Sequence, residues 1–405
     1  MSVPETHEPA AANASDTGPN DSFGPVFGWV FLISVMFLLN YLCRAVFGPL
    51  LPGIEKEFSI SHAASTRILF YLSFGYSGGM FFSGMLCSKI RPKVIIAGSL
   101  ILCGLCMQLV SLAPSSFLLA AACCFTGIVA GQYFNAGMSA VRGLVAPSQW
   151  SKAVAVHEFG PNAGFILAPI LAGVGLAWFG WRGTVSGLGW ACLAAGVLFY
   201  IFGKGGEEKS APVPFAEMPR FLRDKRLWLA ALLIGMAIAG QFGPFSVLIM
   251  HMTEDRGLGQ ELAATLLSAS RVASPLGALV GGWLTARYGT RRTLFFCFAV
   301  YGLSLSLMAL PQFAPFVTGM FLQPAFTAMV FPALFTMLAE CYPLREQPVV
   351  LGIGMPIGSF LGVGLMPSIL GIFGDHLGFQ TGFLCMGIAG FCCIGLLRLI
   401  PKKQR

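Results

Sequence analysis

Long apolar runs alternate with short polar breaks along nearly the whole chain. Apolar segments occupy about residues 26–51, 66–87, 93–112, 116–143, 153–177 and 182–203. A charged stretch over 204–226 interrupts them. Six more follow at about 227–250, 261–285, 291–311, 315–340, 348–373 and 378–400. Each can cross a hydrocarbon core about 30 Å thick as a helix. Every backbone N–H and C=O in such a core must be satisfied internally, which selects helices. The pattern therefore predicts an all-α membrane protein with 12 transmembrane helices. Residues 1–25 depart from it. They are polar and acidic and read as a disordered tail; without a basic n-region or cleavage site they are not a signal peptide.

Composition agrees. Of 405 residues, 56% are hydrophobic and 10% charged, against about 25% charged in a soluble domain. This excludes a disordered chain, a secreted disulfide scaffold and a large soluble enzyme. The net charge of +8 would suit nucleic acid, but its distribution argues for topology. With the N-terminus inside, 19 Lys and Arg fall in inside segments and 4 in outside loops, the bias expected of cytoplasmic loops. Arg44 and Arg271 lie within spans. Both termini are read as cytoplasmic, in an inner or plasma membrane, with no nucleic-acid partner. The sequons at Asn13 and Asn20 should then stay unmodified. The cysteines, mostly inside apolar runs, read as small packing residues. No metal-ligand cluster, nucleophile–base pair or phosphate-binding loop is present, so no metal or cofactor is expected, nor an enzyme.

The chain repeats itself. Gly84-Met85-Leu86-Cys87-Ser88-Lys89 matches Gly282-Trp283-Leu284-Thr285-Ala286-Arg287 at an offset of 198. Gly160, Gly164, Pro169 and Gly173 of the fifth span match Gly358, Gly362, Pro367 and Gly371 of the eleventh at the same offset. Gly180 pairs likewise with Gly378. The division is a six-helix bundle over 26–203, a cytoplasmic linker over 204–226, a second bundle over 227–400 and a tail over 401–405.

The loop after the eighth span, Gly282-x-Leu284-x-Ala286-Arg287-x-Gly289-x-Arg291-Arg292, resembles the G-x-L-x-D-R-x-G-x-R-R loop of the major facilitator superfamily, lacking only its Asp. The first copy retains Gly84, Leu86, Lys89 and Lys93, with Ser88 in place of the Asp. The resemblance covers about residues 26–400. It implies a secondary transporter with a central cavity between two bundles and a rocking, alternating-access cycle. Gly84, Lys89, Gly282, Arg287, Gly289 and Arg291 would belong to its gate. The first span, Asn40-Tyr41-Leu42-Cys43-Arg44 with Pro49, Pro52 and Glu55-Lys56-Glu57-Phe58, resembles the anion:cation symporter branch, and Tyr41-Leu42-Cys43-Arg44 also resembles the organophosphate antiporters. In the symporter branch the first-span Arg binds an organic anion, which implies that role for Arg44. Cys43 stands where that branch has Asp, and Gly131-Gln132-Tyr133 where it often has a fourth-span carboxylate.

Four ionisable groups lie well inside spans: Arg44, His157, Glu158 and Arg271. Intramembrane charge usually faces a cavity or a partner. Arg44 has Asn40 one turn before it, and a guanidinium suits carboxylate, sulfonate or phosphate; it either binds substrate with Asn40 and Tyr41 or bridges structurally to Glu158. Arg271, flanked by Ser268 and Ser274, either completes an anion clamp from the second half or bonds backbone carbonyls. Glu158 is a candidate proton carrier. His157 is a relay, a substrate donor or a lining residue. Gln132 and Asn135 share a face of the fourth span and either contact substrate or join helices. Gly160, Gly164, Gly358 and Gly362 permit close helix approach and bending at a gate.

The expected function is proton-coupled symport of a small, carboxylate-type organic anion by a monomer in the lipid bilayer. Two rivals stand: an efflux antiporter for lipophilic or cationic compounds, and a transporter-like sensor that binds without transporting.

Overall fold

The structure is a computed structural model that describes residues 23–146, 149–209, 218–343 and 346–399. The tail before Phe23 with both sequons, linker residues 210–217 and the tail over 401–405 lie outside the described residues.

The described chain forms long helical rods in the expected order. The first bundle holds α1 (Gly24–Phe58), α2 (His62–Lys89), α3 (Pro92–Ser111), α4 (Ser116–Leu144), α5 (Trp150–Trp178) and α6 (Gly180–Phe202). The second holds α7 (Lys225–Asp255), α8 (Gln260–Tyr288), α9 (Thr290–Met308), α10 (Phe313–Cys341), α11 (Val349–His376) and α12 (Phe379–Leu399). Among the described residues, 10 rods are long and apolar enough to cross a membrane. The other two, α2 and α9, coincide with the second and ninth expected spans; α2 is the more polar because its Ser65, Thr66, Ser73, Ser77 and Ser83 are buried against other helices.

Several rods are interrupted, each for a local reason. In α1 the helix pauses at Val46 and resumes over Phe47–Phe58. Pro49 and Pro52, which the sequence places at the span's end, do not end it. Pro49 falls in the first turn of the new segment, where a missing N–H costs little. The rod stops instead at Ser59, which adopts a left-handed φ of 50°. In α8 the break follows Arg271, and the second segment begins at Ser274. Pro275 has no N–H to give to the Arg271 carbonyl four residues back. In α11 a π-helical stretch over Phe360–Leu365 coincides with the contact to α2.

The duplication read from the sequence has a packing counterpart. A Cβ on Gly160 would approach the Ser34 carbonyl of α1 to 2.5 Å, and one on Gly164 would overlap the Tyr41 ring. In the second bundle a Cβ on Gly358 would press on Ile234, and one on Gly362 on Ala239, both of α7. Each glycine pair thus lets the fifth helix of its bundle lie against the first. Gly180 and Gly378, at the turns into α6 and α12, both take positive φ, 68° and 80°.

The two bundles meet at one end of the molecule, called here the Asp375 end. Asp375 accepts hydrogen bonds from the His62 and Ala63 amides, at 2.8 and 2.9 Å. Deeper in, Ser368 donates to the Thr66 carbonyl and Ser73 to that of Ser359. Gly48 brings α1 onto Ser246 of α7. Among the described residues, every inter-bundle hydrogen bond and ring contact given above or below lies between the membrane middle and this end. The opposite end carries the Lys89 and Arg287 loops.

Candidate functional site

Arg44 sits just beneath the closed contact. Its guanidinium carbon is 3.7 Å from the centroid of the Tyr76 ring and 5.1 Å from that of Tyr41. Arg44 is 6% exposed. Its Nε has no hydrogen-bond partner. The Arg44–Glu158 bridge entertained from the sequence is absent among the described residues. A small pocket opens beside Arg44, lined from both bundles by Gly48, Leu69, Leu72, Phe245, Ser246 and Val363.

Arg271 lies across the interface, 1% exposed. One terminal nitrogen donates to the Gln241 carbonyl at 3.2 Å and faces its side-chain oxygen at 3.4 Å. Its Nε and other terminal nitrogen are unpartnered, as are the Ser268 and Ser274 hydroxyls flanking it. Phe245 and Phe165 present their rings to it at 5.1 and 5.5 Å. Phe165 in turn meets Tyr41 at 5.1 Å, Phe242 at 5.0 Å and Phe245 at 5.1 Å. The Tyr41 hydroxyl is unpartnered and lies in the field of both arginines. The result is two buried cations, one from each bundle, separated by an aromatic cluster. Cation–π contact offsets part of their desolvation, on the order of 2 kcal/mol for a desolvated pair, and neither has a carboxylate among the described residues.

The remaining candidates fall elsewhere. Asn40 donates to the Ala130 carbonyl of α4 at 3.3 Å, its side-chain oxygen unpaired. Gln132 and Asn135 donate to the Gly79 and Met80 carbonyls of α2, at 3.0 and 3.2 Å. They join α4 to α2. His157 is fully buried inside the first bundle, stacked on Phe37 at 4.7 Å between ring centroids. Its Nδ1 lies 3.4 Å from Glu158, a separation without hydrogen-bond geometry. Glu158 is 42% exposed on its side chain. Tyr41 packs on Gly164, six residues on from Glu158, or about 9 Å along α5. Tyr76 lies in the field of both Arg44 and Glu158. Cys43 points away from the site, to Cys192 of α6 at 3.3 Å.

At the opposite end from Asp375, Gly289 takes a φ of 86°, which the loop glycine permits. Thr290 donates to Glu340 of α10 at 3.0 Å, and Arg287 lies over Trp283 and Tyr288. Gly84, Lys89 and Gly282 lie on the ends of α2 and α8, and Arg291 in the first turn of α9.

The sequence reading missed Tyr76, Phe165, Phe242 and Phe245. Only the Gly75-Tyr76-Ser77-Gly78-Gly79 run signalled the first, as an aromatic within a close helix crossing.

Two helical bundles around a buried, positively charged interface define a membrane transporter fold. The chain matches the family model described as Major Facilitator Superfamily over residues 33–274 and 236–405, and it belongs to that superfamily. It is an integral membrane protein and a transporter, not an enzyme. It is 24% identical to the Phosphoglycerate transporter protein of Salmonella typhimurium, over 92% of this chain and 90% of that one. It is 21% identical to the Cis,cis-muconate transport protein of Acinetobacter baylyi, over 88% and 89%. The Fosmidomycin resistance protein of Escherichia coli is 24% identical over 100% and 99%. Among solved structures, a bacterial homologue of the human lysosomal transporter Spinster, inward-facing and occupied, superposes with a TM-score of 0.77 at 15% identity, covering 94% of this chain and 97% of that one.

Proposed function

We propose that the protein carries a small organic anion across a cell membrane in symport with protons, acting as a monomer with Arg44 and Arg271 as the anion-binding pair. The observation that carries this reading is the pair of buried guanidiniums, one per bundle, without a carboxylate partner among the described residues. A buried cation left unpaired is costly, by several kcal/mol. An anionic cargo bridging the two would supply the missing charge and draw the halves together. Relatives named for phosphoglycerate and muconate support an anionic cargo. The positive-inside bias supports a cytoplasmic Lys89 end with both termini cytoplasmic, which puts the closed Asp375 end outside. Glu158, part-exposed on α5, is the proton-exchanging carboxylate.

A panel of organic anions, neutral sugars and lipophilic cations, scored by thermal shift on the purified protein, tests the reading, because a ligand of the folded state raises Tm. Anions should raise Tm in the wild type and not in Arg44→Ala or Arg271→Ala. A response to lipophilic cations that is indifferent to both substitutions would replace the proposal with efflux, the reading that the relative named for fosmidomycin resistance favours. Anion binding without any flux in liposomes would indicate a sensor.

A further inference from the structure

At the Asp375 end, away from the arginines, one histidine ties together elements from both bundles. His62 opens α2. Its Nδ1 lies 3.1 Å from both carboxylate oxygens of Glu55 in α1. Its Nε2 lies 3.2 Å from Glu254 at the end of α7. Ser65 donates its hydroxyl to Glu55. The His62 amide is bound by Asp375 of α11, and its ring packs on Phe379 of α12, 5.1 Å between centroids. The charged groups facing this ring are therefore Glu55, Glu254 and Asp375, all acidic, with Asp255 beyond Glu254.

An ionised carboxylate only accepts hydrogen bonds. A neutral imidazole carries one N–H and can donate to one side alone. Carboxylates on both ring nitrogens therefore call for the doubly protonated imidazolium. One ligand atom from each of Glu55, His62 and Glu254 lies within 4.8 Å of the others, so a shared cation is the competing occupant, which chelation distinguishes from a proton. Nearby His251 shows the contrasting case: its Nδ1 meets Asp255 at 2.7 Å while its Nε2 accepts from Arg256 at 2.9 Å, an arrangement the neutral ring satisfies.

We propose that His62 is a proton-binding site that fastens the two bundles at the Asp375 end, so that protonation closes this end and deprotonation releases it. The Glu55 carboxylate bonded to the ring holds His62 above the usual histidine range, against burial, which pulls it down; Glu254 and Asp375 add to the rise. The sign follows. Separating the bundles removes Glu254 and Asp375, so the closed form binds the proton more tightly than the open one. The stabilisation of the closed form is full below the open-state pKa and is lost as pH rises through the higher closed-state value. The inference does not depend on the anion reading. If this end faces outside, as proposed above, external acid would drive the carrier toward its inward-facing form.

Spin labels placed at Lys56 and Leu377, both exposed and in opposite bundles, report the opening of this end in a cysteine-depleted background. Distances are read without substrate, so failure of the anion proposal leaves this test intact. Between about pH 5 and about pH 9 the wild-type ratio of open to closed molecules should rise at least about threefold, as a modest pKa difference between the two forms requires. His62→Gln should be flat across that range. His62→Arg, a fixed cation, should stay closed at the alkaline end, and Glu254→Gln should show a reduced response. A wild-type distribution that does not move with pH, a full response in His62→Gln, or a response abolished by EDTA would each overturn the proposal.

Discussion

Arg271 is a residue that folding alone would not choose. Its guanidinium is buried against Phe165 and Phe245 with two nitrogens unpartnered. Replacing a buried ionic group by an apolar residue of similar volume is often neutral or stabilising, by about 1–4 kcal/mol. Arg271→Met should therefore raise the Tm of the ligand-free protein while removing the Tm increase given by an anion. A fall in ligand-free Tm would mean that the Gln241 bonds outweigh the desolvation and that Arg271 is structural. Arg44→Lys should keep the charge yet weaken binding about tenfold or more, because an ammonium cannot lie flat on Tyr76 and grip bidentately at once; binding is read by calorimetry, and an unchanged affinity would reduce Arg44 to a point charge. Both arginines were legible in the sequence, since charge within an apolar run stands out. Their aromatic platforms were not, because an aromatic in a membrane helix looks the same whether it packs or cradles. Nor was the direction of Cys43: its neighbour Arg44 faces the pocket, while residue 43, about 100° round the helix, faces Cys192.

The helices are set by small residues where they cross. Between α2 and α4 a Cβ on Gly127 would overlap the Leu72 carbonyl, and one on Gly75 the Cys124 carbonyl. Backbone cannot yield as a side-chain tip can. Gly127→Ala should cost about 1–3 kcal/mol, the range for overpacking. Gly78→Ala, on α2 itself with nothing within 4 Å, is the control and should be neutral within about 0.5 kcal/mol. Thermal unfolding of the two variants decides; helix propensity alone favours Ala over Gly, so an equal loss in both would mean that the crossing does not set the effect. This level of organisation was partly readable. The shared offset of 198 located Gly160, Gly164, Gly358 and Gly362, and the structure gives each pair the same task, packing α5 on α1 and α11 on α7. A periodic pattern cannot say which neighbour a glycine approaches. The same limit hid the helix breaks: the rod holding Pro49 and Pro52 runs on to Phe58, whereas Pro275, inside a span, follows the break after Arg271.

The molecule as a whole is held together across its two bundles at the Asp375 end, and its ionisable groups divide between that contact and the helix interior. His62, Glu254 and Asp375 are separated by up to 313 residues in sequence, so no local pattern could join them; they meet only because the bundles close. Glu158 belongs to α5, away from that cluster, and acts on Tyr76, whose ring Arg44 covers. In the proposed cycle the two sites have separate tasks, His62 selecting which end is closed and Glu158 carrying the proton that accompanies the anion. Replacing each one should therefore fail differently. In proteoliposomes loaded with substrate, Glu158→Gln should keep anion exchange at near wild-type rate, since the two arginines and the rocking contacts are intact. It should lose accumulation driven by external acid, since no carboxylate remains to take up and release the proton. His62→Gln should retain acid-driven accumulation but lose the pH dependence of the end-opening distance. Acid-driven accumulation persisting in Glu158→Gln would remove that residue from the mechanism and shift coupling to His62, in which case His62→Gln would be the variant that exchanges without accumulating.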